Sequence, residues 1–193
     1  MWDGRKLIEG RECGGCTVCC VTPKIDQPEM QKQSCVACKH CLGGGCAIYD
    51  TRPPVCRSFY CAWRTEAIFD ESWRPDKSGV LPMVETESIP EQFKLRIGIG
   101  LMLVGNPNRI VRQKWFQDFV RTGIMNSVPM FLSLPGPRGR DATSVFLNNE
   151  QMLDAIRRNA IKDELETVLR IMKGWDFKPV TFEHSGNDVS APE

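Results

Sequence analysis

The residues of this chain best suited to chemistry are its ten cysteines, all of which fall between Cys13 and Cys61. They form three groups: Cys13-Gly-Gly-Cys16-Thr-Val-Cys19-Cys20, then Cys35-x-x-Cys38-x-x-Cys41-x4-Cys46, then Cys56-x4-Cys61. A Cys-x-x-Cys unit turns tightly enough for both sulfurs to face one ion, and the Gly14-Gly15 pair suits the positive φ that such turns use. Backbone N–H groups in these turns can donate to thiolates and offset their charge. Four thiolates satisfy a structural zinc ion, and four also hold the common iron–sulfur clusters. Ten cysteines therefore suffice for two four-thiolate sites with two left over. Adjacent Cys19 and Cys20 point in different directions from one backbone, so they can serve different metals or bridge two. His40, between Cys38 and Cys41, is a further ligand candidate.

The elements around this constellation fall into two regions. From the start to about Trp63 the chain is rich in Gly and Pro and shows little periodicity, so its fold is not expected from a hydrophobic core of its own. Bound metal can supply much of the folding free energy of such a module. A polar link, Pro75-Asp-Lys-Ser-Gly79, follows. Val80 to Thr86 and Phe93 to Val104 read as strands; in the second, Phe93, Leu95, Ile97, Ile99 and Leu101 alternate. Gly98 and Gly100 suit a strand that another part of the backbone approaches closely. Gly105-Asn-Pro-Asn108 is a turn signal. Val111, Trp115, Phe119 and Val120 share a helical face that Gly123 is placed to end. The stripe of Trp115, Phe116 and Phe119 reads as core, and Arg109, Arg112, Lys114 and Arg121 as the solvated face. Val128–Leu134 and Thr143–Leu147 are further strands. Asn148, with Gln151 three residues on, resembles a capping box. It opens a long helix carrying Leu153, Ile156, Ala160, Ile161, Leu165, Val168, Leu169 and Met172, which stops at Lys173-Gly174.

The expected fold class is α+β: an irregular metal-stabilised cysteine module over residues 1–75, then a small layer of two helices on a mostly antiparallel sheet over residues 76–178. Residues 179–193 are expected to be a loose polar tail.

Composition narrows the function. The chain has 193 residues, of which 41% are hydrophobic and 25% charged, and its net charge is +1. That is ordinary globular composition, with no electrostatic reason to bind nucleic acid. The first ten residues hold no signal-peptide stretch, and no run approaches the roughly 20 apolar residues of a membrane helix. A cytoplasmic location without membrane association is the expectation. In a reducing cytosol, densely spaced thiols point to metal rather than to disulfides. With two histidines, of which His184 sits in the polar tail, Ser-His-Asp or Cys-His catalysis is poorly supported.

The pattern Cys13-x-x-Cys16-x-x-Cys19-Cys20, followed by Gly45-Cys46-Ala-Ile-Tyr49-Asp-Thr-Arg52-Pro53-Pro-Val-Cys56-Arg57-Ser-Phe-Tyr-Cys61, resembles the YkgJ-type cysteine-cluster family, whose domain is described as zinc- or iron-chelating. The resemblance covers about residues 10–65. It implies Cys13, Cys16, Cys19, Cys20, Cys38, Cys46, Cys56 and Cys61 as metal ligands; Cys35 and Cys41 fall outside the core pattern, as local additions or, with His40, as auxiliary ligands. Tyr49 is expected to pack, Arg52 and Arg57 either to donate to thiolates or carbonyls near the metal or to stand as solvated surface charge, and Pro53-Pro54 to stiffen the approach to Cys56.

The function expected is metal binding, with zinc or an iron–sulfur centre as cofactor, in an accessory, sensory or structural protein that a protein partner could join. Some members of the resembled family act in protein methylation or are fused to such enzymes, so an iron–sulfur or zinc enzyme linked to protein modification is the alternative. A zinc-ribbon-like adaptor is a third reading.

Overall fold

The computed structural model describes residues 6–94 and 96–183. Leu95 of the expected second strand and His184 of the polar tail lie outside these.

The cysteine region contains only short elements. Helix α1 (Val18–Val21) is followed by an antiparallel hairpin of β1 (Ile25–Gln27) and β2 (Met30–Lys32). Helix α2 (Pro54–Ser58) opens on Pro54, and α3 (Ala62–Thr65) begins directly after Cys61. Proline fits the first helical position because its missing N–H has no helical acceptor there. The expected polar link is itself ordered. It forms α4 (Pro75–Ser78), which ends on Gly79 at φ +72°, the left-handed conformation that glycine adopts without strain.

A four-stranded sheet follows, in spatial order β3 (Val80–Glu85), β4 (Gly98–Leu103), β5 (Met130–Leu134), β6 (Thr143–Phe146). The β3–β4 and β5–β6 pairings are antiparallel, and β4–β5 is parallel. The class is α+β as expected, and the sheet is mixed. A parallel neighbour needs a crossover rather than a hairpin. Here the crossover carries α5 (Pro107–Ile110) and α6 (Lys114–Met125). The strand expected from Phe93 begins only at Gly98; Glu91–Phe93 form a turn of 3₁₀ helix and Ile97 is exposed. The backbone approach expected at the two glycines is present at Gly98, where a Cβ would lie 3.1 Å from the Pro129 carbonyl oxygen; at Gly100 it is the Glu85 side chain that fills the space instead.

The expected long C-terminal helix is two helices, α7 (Glu150–Arg157) and α8 (Ile161–Lys173). Asn159 interrupts them at φ +56°. The Ala160 N–H donates to the Ala155 carbonyl at 2.7 Å, the wrap-around bond that closes a helix end. The cap of α7 is Asn149, which accepts the Met152 N–H at 2.9 Å. Asn148 instead ties the strands together, accepting the Met130 N–H at 2.7 Å and donating to the Val128 carbonyl at 2.8 Å.

One large core joins the sheet to these helices. It also takes in Ala62, Trp63, Phe69 and Trp73, so the stretch just after the cysteines is anchored in the sheet's core. The Trp73 and Phe119 rings meet at 4.5 Å between centroids. Residues 178–183 turn back along the molecule: Val180 N–H donates to the Gly139 carbonyl at 3.0 Å and Glu183 N–H to Asp26 Oδ2 at 2.8 Å. That part of the expected loose tail is thus tied to the hairpin beside the cysteines.

Candidate metal centre

Local turns and short helices place the cysteines. Cys16 N–H donates to the Cys13 carbonyl at 2.8 Å, and Gly14 sits at φ +50° between them. Helix α1 then carries Cys19 and Cys20. Cys38 N–H donates to the Cys20 carbonyl at 2.9 Å, which fastens the second group of cysteines to the first. Cys41 and Cys46 face each other in an antiparallel bridge, flanked by Leu42 N–H to Gly45 O and Ala47 N–H to His40 O, both 2.9 Å. Gly43, at φ +77°, permits the reversal between them. Cys56 lies in α2 against Met30, with 3.6 Å between the sulfurs.

These turns bring the thiols to two adjoining cavities. The larger, about 210 Å³, is lined by Cys13, Cys16, Cys19, Cys20, Cys38, Cys41, Cys46 and Cys56. The smaller, about 20 Å³, is lined by Cys13, Cys16, Cys19 and Cys61. All eight cysteines of the family-like pattern therefore line one cavity or the other. Cys41 joins them, His40 lines the larger cavity, and Cys35 lines neither. All ten are free thiols. Among the described residues, no group of three or more His, Cys, Asp or Glu is arranged so that it could hold a metal ion as it stands.

Backbone N–H groups point at some of the sulfurs. Cys16 accepts from Val18, and Cys38 from His40 at 3.4 Å. Burial nevertheless pushes the thiols of Cys16, Cys35 and Cys38 up, and those of Cys56 and Cys61 up to about 11. The Cys20 thiol is pushed up first by its hydrogen bond with Cys19 and then by burial. A metal-free redox cysteine relies on the opposite shift, a lowered pKa.

Two buried cations accompany the thiols, and neither was singled out by sequence. Lys32 is fully buried. Its ammonium donates to the carbonyls of Val21 and Gln33, both at 2.9 Å, and of Val36 at 3.1 Å, which uses all three donors. Burial pushes its pKa down to about 8, opposed by Cys35, Cys38, Cys20 and Cys19. Arg64, 8% exposed, donates from Nη1 to the Cys13 sulfur at 3.5 Å. Its Nε is buried with no hydrogen-bond partner among the described residues. A lysine before Gln33 and an arginine after Trp63 carry no spacing signal, so only the folded chain reveals their burial beside the thiols.

Of the arginines and tyrosine noted in the sequence, Arg57 is exposed and its side chain donates to no thiol or carbonyl among the described residues. Arg52 donates to the Tyr49 carbonyl at 2.8 Å, as expected of a carbonyl donor. Tyr49, expected to pack, is 47% exposed and lies under the Arg52 guanidinium at 3.7 Å, because its short 3₁₀ turn stands at the rim of the larger cavity.

The donor set fits a thiophilic metal in its chemistry: nine thiols line adjoining cavities, and an orphaned guanidinium nitrogen belongs to a side chain that lines one of them. Compared with family models, with curated proteins and with solved structures, the chain has no match.

Proposed function

We propose that this chain is a cysteine-cluster metal-binding protein that holds zinc or an iron–sulfur centre through Cys13, Cys16, Cys19, Cys20, Cys38, Cys46, Cys56 and Cys61, with an accessory, sensory or structural role. The resemblance to the YkgJ-type pattern supports this reading. The observation that carries it is the convergence of nine thiols on two adjoining cavities, with the His40 N–H donating to the Cys38 sulfur at 3.4 Å. An N–H aimed at sulfur favours the charged thiolate over the thiol, and a metal-bound cysteine is a thiolate. The protein's own residues bind and orient: the turns at Gly14 and Gly43 aim the sulfurs, and the N–H groups hold them. A metal bound here would cross-link segments that share little hydrophobic core, and an iron–sulfur centre would add the capacity to carry an electron.

Metal and acid-labile sulfide content, with an absorption spectrum, on protein purified without oxygen tests the reading. Iron with sulfide, or zinc, is expected in the wild-type chain. Cys16→Ser and Cys56→Ser should each lower the metal content and loosen residues 13–61. Unchanged metal content in both variants would sink the ligand assignment, and a chain that takes up neither metal would sink the function.

A second reading, an enzyme built on the same centre, draws on the larger cavity. At about 210 Å³ it exceeds what a single ion fills. Spectral change on adding a small thiol to the metal-loaded protein would favour it, since that requires an open coordination position.

A further inference from the structure

We propose that Cys41 and Cys46 form a redox-sensitive pair that closes to a disulfide at the wall of the larger cavity, with a small-molecule disulfide of the glutathione type as its oxidant. The pair stands independently of the metal reading; its consequence for bound metal, the withdrawal of Cys46 from the ligand set, rests on that reading.

Backbone geometry selects these two thiols. Leu42 N–H donates to the Gly45 carbonyl and Ala47 N–H to the His40 carbonyl, both at 2.9 Å, and Cys41 and Cys46 stand opposite each other between those two bonds. That is the non-hydrogen-bonded position of an antiparallel pair, where Cα atoms lie about 4.5 Å apart and the two side chains leave on the same face. Disulfides span Cα separations of about 4.4–6.8 Å, so the bond can close with little movement of the backbone. Among the described residues no other two cysteines are paired across strands. Cys19 and Cys20 are neighbours within α1, and successive side chains of a helix do not face each other.

Access favours the same pair. The tip of this hairpin is open: Leu42 is 72% exposed, and nothing stands within 4 Å of the place a Cβ would take on Gly43, Gly44 or Gly45. Both thiols are half-buried and line the larger cavity, so an oxidant reaches them without unfolding the chain. The reaction is thiol–disulfide exchange. One cysteine sulfur, as its thiolate, attacks a sulfur of the oxidant and expels one small thiolate. The partner sulfur, having lost its proton, attacks the mixed disulfide and expels the second. The pair gives up two electrons and two protons, and the oxidant is reduced to two thiols. Cys46 is in the proposed ligand set and Cys41 is not, so closure takes one thiolate from the metal and reduction returns it.

Oxidised glutathione added to the full-length chain purified without oxygen, followed by alkylation, trypsin and peptide mass spectrometry, tests the pair. Tryptic peptide 40–57 holds Cys41, Cys46 and Cys56. It should appear lighter by two hydrogens and alkylated only at Cys56, and prior reduction should restore all three alkylations. Full alkylation of this peptide while Cys13 and Cys16 oxidise, glutathione held on Cys41 without closure, or a link from Cys41 to Cys20 that joins peptides 12–24 and 40–57 would each overturn the pair. In a second arm, zinc-loaded wild type should lose zinc to a chromogenic chelator as the disulfide forms, and Cys41→Ser should hold its zinc several-fold longer under the same oxidant. Equal release from both would overturn the control of metal by this pair. No zinc uptake by the wild type would overturn the metal reading instead, and the peptide masses would still decide whether the disulfide forms.

Discussion

The two halves of this chain bury different things. In the sheet region, Leu101, Leu132, Phe116, Leu165 and their neighbours are almost fully buried in one continuous core that reaches back to Trp63. Around the cysteines, the corresponding cluster has only Met30 and Cys38 as buried members, with Cys20, Ile25, Cys41, Val55 and Cys56 packed partly against them. The hydrophobic effect scales with apolar area removed from water, at roughly 25 cal/mol per Å². It can therefore account for the order of the first region far better than for that of the second. What positions the cysteine segments is a web of backbone hydrogen bonds such as Cys38 N–H to Cys20 O, together with buried polar anchors such as Lys32. A region held this way depends on polar satisfaction and, in our reading, on bound metal.

The largest expected effect tests the side of the comparison that rests on burial. Leu132 has no exposure and lies in β5, paired with Leu101 on one side and Val145 on the other. Leu132→Ala should cost about 2–5 kcal/mol, since deleting a buried leucine loses its transfer energy and leaves a cavity. Urea denaturation followed by tryptophan fluorescence measures it. A loss under about 1 kcal/mol would show that the sheet is not where the stability resides and would break the contrast.

Lys32→Met probes the other side. The ammonium is replaced by an apolar chain of similar length, and the carbonyls of Val21, Gln33 and Val36 lose their donor. A buried acceptor left unpaired costs on the order of 1–3 kcal/mol, offset in part here by removing a buried charge. Hydrogen exchange should quicken at residues 18–41 while β4 and β5 keep their protection. Equal loosening of both regions would mean that they unfold as one unit, and the comparison would then describe composition rather than two separable stabilities.

The regularity of the second region made it legible in the sequence, and its absence hid much of the first. Val80–Glu85, Met130–Leu134 and Thr143–Phe146 follow from apolar runs bounded by turn residues. The errors there were local: the cap moved from Asn148 to Asn149, and Asn159 split a helix whose apolar spacing runs on across the break. Left-handed backbone at a single asparagine leaves no mark on periodicity. In the cysteine region the spacing marked the thiols that line the cavities, because ligand turns are short-range features. It could not give the pairing of turns distant in sequence, which Cys61 beside Cys13 requires. Nor could it find Lys32 and Arg64, whose importance comes from burial alone.

Gly123 offers the smallest and most discriminating test of how the sheet region is packed. By sequence it marks the end of a helix, where a side chain would strain a left-handed cap. It lies instead within α6, which runs to Met125, and a Cβ there would stand 2.5 Å from the sulfur and 3.1 Å from Cγ of Met130. Inside a helix, Gly→Ala ordinarily gains up to about 1 kcal/mol. Met130 is flexible by nature, but it is fully buried in β5 and has little space into which to move. Overpacking of this kind costs about 1–3 kcal/mol, which outweighs the gain in helix propensity. Gly123→Ala should therefore destabilise by roughly 1 kcal/mol in urea denaturation. Placed in a Met130→Ala background, the same substitution should turn neutral or stabilising, because the obstructing sulfur is gone and helix propensity is all that remains. If Gly123→Ala stabilises the otherwise unaltered chain, the contact between α6 and β5 is looser than a dense core allows, and the sheet region loses its claim to be the tightly packed half.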